Sequence, residues 1–204
     1  MLISLLFSNP IVFIVIAVIL VLSITVHEFA HAWTADKLGD PTPRHQGRVT
    51  LDPRAHLDPV GTLAIFLIGF GWGRAVMFDP YNLKNPLPDT AKIGLAGPVV
   101  NIVVAIICAV LIKVFAFPLL SVILTAAISL NVMLAIFNLL PVYPLDGSKI
   151  LLAILPKNTA YEYDKFMRQY GQWVLILLIL PIGGRSAVSQ LISPIIDMVT
   201  SFLL

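Results

Sequence analysis

The stretch Ile11-Val-Phe-Ile-Val-Ile-Ala-Val-Ile-Leu-Val-Leu-Ser23-Ile-Thr25-Val-His27-Glu28-Phe-Ala-His31 decides the fold class. Only Ser23 and Thr25 are polar before His27, and the run approaches the roughly 20 residues that carry a helix across a bilayer. At about 1.5 Å per residue, His27 lies roughly 24 Å beyond Ile11, inside a hydrocarbon core about 30 Å thick. Residues four apart on a helix differ by about 40° around the axis, so His27 and His31 share one face. Two imidazoles so placed can bind one zinc ion, with Glu28 within reach of a water on that ion. Zinc lowers the pKa of such a water towards about 7. A neighbouring carboxylate can take its proton and pass it to a leaving amine. The competing reading is a pair of packed or snorkelling polar residues at a helix end, but ionisable groups within a membrane are costly and normally functional.

The remainder of the chain agrees with a membrane setting. It has 204 residues, of which 58% are hydrophobic and 12% charged. That is about half the charge of a soluble domain. Mean hydropathy is +0.94. A net charge of +2 gives no ground for a nucleic-acid partner. Cys108 is the single cysteine, so no internal disulfide can form. The first 26 residues contain no Lys or Arg, and a cleavable secretory leader is not expected.

Beyond the first span, apolar segments at Ile93–Ile112, Pro118–Leu140, Phe166–Ile182 and Ser186–Leu204 complete an all-α polytopic reading with about five transmembrane helices. Asp197 weakens the last of them. Val60–Gly73 is apolar but 14 residues long and rich in glycine, which suits a re-entrant or β-hairpin-like segment near residues 60–80 better than a span. With that segment not crossing, 11 of the 13 Lys and Arg residues share one side, and only Lys113 and Arg185 lie opposite. The positive-inside rule makes the crowded side cytoplasmic and puts the N-terminus outside. Spans one and three then run in the same direction, so His27, His31 and Asp146 approach one face. The whole chain, 1–204, reads as a single membrane-embedded domain, with a core at about 11–155 and C-terminal helices at about 166–204.

Catalytic zinc generally keeps three protein ligands and an open position. Asp146 is the strongest candidate for the third. Pro141 and Pro144 stop the helix before it, and Gly147 permits close backbone approach. An Asp-Gly turn at a helix boundary is the structural alternative. Asn138 and Asn101 are candidate oxyanion or substrate-binding donors, or else interhelical hydrogen-bond formers. Gly71 and Gly73 belong to a stretch, Gly69–Gly73, that could bind an unwound substrate along a free strand edge. The alternative there is a packed interfacial loop capped by Trp72. His56 and Asp58 are expected to order their loop.

Together, His27-Glu28-Phe-Ala-His31, Gly97-Pro98-Val-Val-Asn101 and Asn138-x-x-Pro141-x-x-Pro144-Leu-Asp146-Gly147 resemble the site-2 protease family of intramembrane metalloproteases. The loop from Gly47 to Gly61 and the stretch Gly71-Trp-Gly73-Arg-Ala-Val resemble it too. The resemblance covers about residues 20–150. It implies one zinc ion per chain held by His27, His31 and Asp146, with Glu28 as general base. It also implies cleavage of a substrate's transmembrane segment near the cytoplasmic face, and membrane-associated hairpins. Larger relatives carry PDZ or CBS modules, for which this chain has no room. Two other functions compete: a catalytically silent receptor for membrane helices, which an intact Glu28 disfavours, and a zinc transporter, which usually shows repeated discontinuous helices. The lipid bilayer and a transmembrane-helix protein are the expected partners. Oligomeric state has no signal in the sequence.

Overall fold

A computed structural model describes residues 2–68, 71–115, 117–182 and 184–204. A short helix α1 (Leu2–Ser8) leads into α2 (Pro10–Lys37), which starts sharply because Asn9 accepts from the Val12 N–H and Pro10 occupies the first turn. It ends where Gly39, at φ 110°, takes the left-handed conformation and the Asp40 N–H closes onto the Ala35 carbonyl. One-turn helices α3 (Thr42–His45) and α4 (Pro53–His56) follow, then α5 (Pro59–Ile68). An extended segment leads to a 3-10 turn at Pro80–Asn82 and the long helix α6 (Pro86–Val114). Next come α7 (Pro118–Asn138), α8 (Asp146–Ile154) and α9 (Lys157–Ile179). A tight turn between two-residue strands β1 (Pro181–Ile182) and β2 (Arg185–Ser186) joins α9 to α10 (Ala187–Leu203).

Among the described residues, α2, α6 and α7 are the three helices long and apolar enough to cross a membrane, and α10 is a shorter apolar helix. The chain is an integral multi-pass membrane protein. The three spans pack mutually through Ile19, Ala105, Cys108, Ala109, Ala127, Ile128 and Val132. Four of these seven are Ala or Cys, and small side chains let helix axes approach where lipid offers no hydrophobic driving force.

Two expectations change. Only three of the five expected spans stand as such. The fourth apolar segment belongs to α9, which begins at Lys157, well before Phe166, and carries Lys157, Glu162, Asp164, Lys165 and Arg168 in its first half. Helix α10, at 17 residues, measures about 25 Å, short of the core thickness. The β-hairpin-like segment near 60–80 is also replaced. Pro59–Ile68 is helical because Asp58 accepts from the Gly61 N–H at 2.7 Å and Pro59 follows it, a start signal that outweighs the glycines. Residues 71–79 are extended but form only one isolated antiparallel bridge, Leu57 with Gly73. Gly69 and Phe70, part of the expected substrate edge, lie outside the described residues.

Asp40 ties the end of α2 to the turn that precedes α6. It is fully buried and accepts from the Thr42 N–H and hydroxyl, the Asp79 N–H and the Asn82 amide at 2.6–3.1 Å. Burial pushes its carboxyl up, but these hydrogen bonds outweigh it and hold the group below the usual carboxylate value. Asp40→Ala should lower stability by about 1–3 kcal/mol, because it leaves buried donors without an acceptor. A depressed pKa makes the contribution full above the ordinary carboxylate range and lost as pH falls below it. Thermal unfolding in detergent should therefore show a gap between wild type and variant that narrows on acidification.

Candidate metal centre

His27 and His31, one turn apart on α2, are both buried, with their Nε2 atoms 3.0 Å apart. Each Nε2 lies 3.1 Å from Asp146 Oδ2. His27, His31 and Asp146 are thus brought together from α2 and α8, residues 119 positions apart in the chain. They form a cluster, among the described residues, that could hold a metal ion. The rings stand nearly perpendicular, at 83°, which points both nitrogens at one spot.

Asp146 arrives because α7 ends at Asn138 and the chain turns through residues 139–145 before α8 starts on Asp146 itself. Gly147 makes that turn possible: a Cβ there would sit 2.2 Å from the Leu139 carbonyl oxygen. Lys149 donates to Asp146 Oδ1 at 2.9 Å, leaving Oδ2 for the imidazoles. On the opposite wall, α6 passes so close that a Cβ on Gly97 would lie 2.5 Å from His27 Cε1 and His31 Nε2.

The donor set suits a cation. His31 Nδ1 lies 2.6 Å from the Ile93 carbonyl, which can only accept, so Nδ1 carries a proton and in the neutral ring Nε2 is bare. A bare nitrogen against a carboxylate oxygen and a second imidazole nitrogen is unfavourable unless a cation or proton lies among them. Two imidazoles and one carboxylate make a three-ligand set of the kind found in catalytic zinc sites.

Glu28 lies beside this cluster. Its Oε2 accepts from the Val76 N–H at 3.2 Å and lies 3.9 Å from Arg48 Nη2. Arg48 is buried and donates to the Arg74 carbonyl, so it steadies the same extended segment that holds Glu28. His56 and Asp58 order the preceding loop. His56 is fully buried and donates from Nε2 to the Thr50 carbonyl at 2.7 Å, with burial pushing its pKa down, while Asp58 caps α5.

The remaining sequence candidates are placed differently. Asn101 is buried with its Oδ1 2.5 Å from His27 Nδ1, behind the ring and away from the converging Nε2 atoms. Asn138 donates to Leu134 O within its own helix at 2.9 Å. Gly71 presses on the start of α5, where a Cβ would meet the Gly61 carbonyl oxygen. Gly73 lies beside Glu28, where a Cβ would stand 3.4 Å from Glu28 Oε1. Sequence reasoning missed Arg48 and Lys149 as neighbours of the site, since each read only as a cation near the membrane edge. It also missed Asn131, which accepts from the Asn101 amide at 2.7 Å.

Gly97→Ala tests the closeness of α6. Its methyl would overlap both imidazoles, and relieving such overpacking costs about 1–3 kcal/mol. Zinc affinity, measured by chelator competition, should fall about tenfold or more while the helical content is kept.

Comparison with known proteins closes the assignment. The Peptidase family M50 profile matches residues 113–182, which include Asp146 but not the histidines. YwhC of Bacillus subtilis is 35% identical over 201 residues, covering 88% of this chain and 91% of YwhC. Rip2 of Mycolicibacterium smegmatis is 31% identical, covering 85% of this chain and 70% of Rip2. The Zinc metalloprotease MJ0392 of Methanocaldococcus jannaschii is 29% identical across 85% of this chain, which spans 44% of its length. No solved structure gives a significant match. With 35% identity sustained across 88% of this chain and 91% of YwhC, the chain belongs to peptidase family M50, the site-2-protease-like zinc metalloproteases.

Proposed function

We propose that the protein hydrolyses a peptide bond within or next to a transmembrane segment of a membrane-protein substrate. One observation carries this reading: His27, His31 and Asp146 converge on a span, with Glu28 one residue along the same helix. His27 Nε2, His31 Nε2 and Asp146 Oδ2 would hold a single zinc ion. When bound, zinc polarises the scissile carbonyl and acidifies water.

The chain's own groups supply the rest. The Val76 N–H and the Arg48 guanidinium engage Glu28 Oε2, leaving Oε1 to take a proton from the attacking water and return it to the leaving amine. Gly73, without a side chain, keeps the space beside Oε1 open. A helical substrate shields its own peptide bonds and has to unwind. The exposed extended segment beside Glu28 suits that task. The Arg74 N–H bonds the His56 carbonyl and the Val76 N–H bonds Glu28. Ala75 and Met77, both exposed, have backbone N–H groups with no partner among the described residues. An extended substrate can add along that edge.

The two C-terminal helices are joined through the antiparallel strand pair β1–β2, and on that ground they cross together or not at all. Either case leaves the α7–α8 turn on the same side as the end of α2. That side carries most of the Lys and Arg, and the positive-inside rule makes it cytoplasmic.

The experiment uses zinc-loaded protein in detergent, a substrate with one transmembrane helix, and mass spectrometry to locate the cut. Wild type should cut within or beside the helix. Glu28→Gln should lose about a hundredfold or more in rate with zinc retained. Met77→Pro, which removes one edge donor, should lose about tenfold with zinc retained. Wild-type rates in Glu28→Gln would remove the base from this account. No cut by wild type across a panel of helices would favour a silent receptor.

A further inference from the structure

Asn131 lies in the middle of α7, 1% exposed, and touches neither the candidate ligands nor Glu28. Its amide nitrogen is 2.9 Å from the Ala127 carbonyl and 2.9 Å from Ser23 Oγ. A carbonyl only accepts, so this end of the amide is the NH2 group. The other end, Oδ1, therefore faces Asn101, whose amide nitrogen donates to it at 2.7 Å. That in turn sets the direction of Asn101, itself 1% exposed, and leaves its Oδ1 as the atom 2.5 Å from His27 Nδ1. An oxygen acceptor at that distance requires a proton on Nδ1, so in the neutral ring Nε2 keeps its lone pair, aimed at Asp146 and His31. His31 reaches the same state in one step, through the Ile93 carbonyl.

We propose that Asn131 is a positioning residue for the metal centre: through Asn101 it fixes His27 as the Nδ1–H tautomer with Nε2 free to ligate. The relay runs Ala127, Asn131, Asn101, His27 and links α7, α6 and α2, with its direction set by one backbone carbonyl that cannot reverse. Both amides are buried, and reversing either one would set oxygen against oxygen at hydrogen-bonding distance. Outer partners of this kind orient ligating histidines and raise their basicity. The inference rests on the zinc-site reading above, and the test separates the two.

The test measures zinc affinity by chelator competition in the full chain for wild type, Asn131→Leu and Asn131→Asp, and the imidazole 15N shifts of zinc-loaded wild type. Asn131→Leu deletes the relay with little change in volume and should bind zinc about tenfold or more weakly. Asn131→Asp keeps an oxygen acceptor towards Asn101 and should bind more tightly than the leucine variant. The 15N shifts should show His27 ligating through Nε2 with its proton on Nδ1, a result that does not depend on any variant folding. Equal zinc affinity in wild type and Asn131→Leu, or His27 ligating through Nδ1, would overturn the relay while leaving the zinc site intact. A wild type that binds no zinc would overturn both.

Discussion

Three acceptor atoms held at about 3 Å inside a membrane bundle are a constraint that most of this fold answers. His27 Nε2, His31 Nε2 and Asp146 Oδ2 would repel one another without a cation or proton among them, and all three residues are buried. Keeping them together takes structure on every side. Helix α2 supplies two of the atoms by its periodicity, the α7–α8 turn supplies the third, and Gly97 lets α6 close over both rings. The small-residue packing of α2, α6 and α7 then holds the walls in place. Lys149 restrains the carboxylate oxygen that does not face the imidazoles. The site is thus a property of the bundle, and no single helix contains it.

Glu28 faces a different environment from its neighbour His27. The histidine side is buried and lined by helices. The glutamate side meets the loop that holds Arg48 and His56 and the extended residues 71–79, where Arg48, His56, Asp58 and Val76 replace helix packing with hydrogen bonds. This division fits hydrolysis, which needs a rigid metal cage on one side and access for water and an unwound chain on the other.

Much of this was legible in the sequence, for identifiable reasons. Spacing of four on an apolar helix places His27 and His31 on one face wherever the helix goes. Pro141 and Pro144 announce a break, and Gly147 a close approach, but local chemistry alone left Asp146 balanced between a ligand and an Asp-Gly turn, and the family resemblance favoured the ligand. The pairings across helices were not legible. Asn131 is one polar residue in an apolar span, and nothing near it in sequence indicates that its partner is Asn101, 30 positions away. Arg48 reads as a membrane-edge cation because the Arg74 carbonyl and Glu28 reach it only in the folded chain. The start of α5 was obscured by Gly61 and the glycines that follow the helix, and the Asp58 cap overrides the low helix propensity of Gly61. The extent of α9 was missed because a hydropathy reading detects only its apolar half.

The measurement that tests the central claim most directly is the zinc X-ray absorption spectrum of the purified, zinc-loaded chain. The account expects one zinc per chain with two imidazole ligands, one carboxylate oxygen and a further light-atom ligand, in four-coordinate geometry with distances of about 2.0–2.2 Å. A signal lacking the imidazole pair, a thiolate from Cys108 among the ligands, or zinc retained unchanged when Asp146 is replaced by Ala would contradict it.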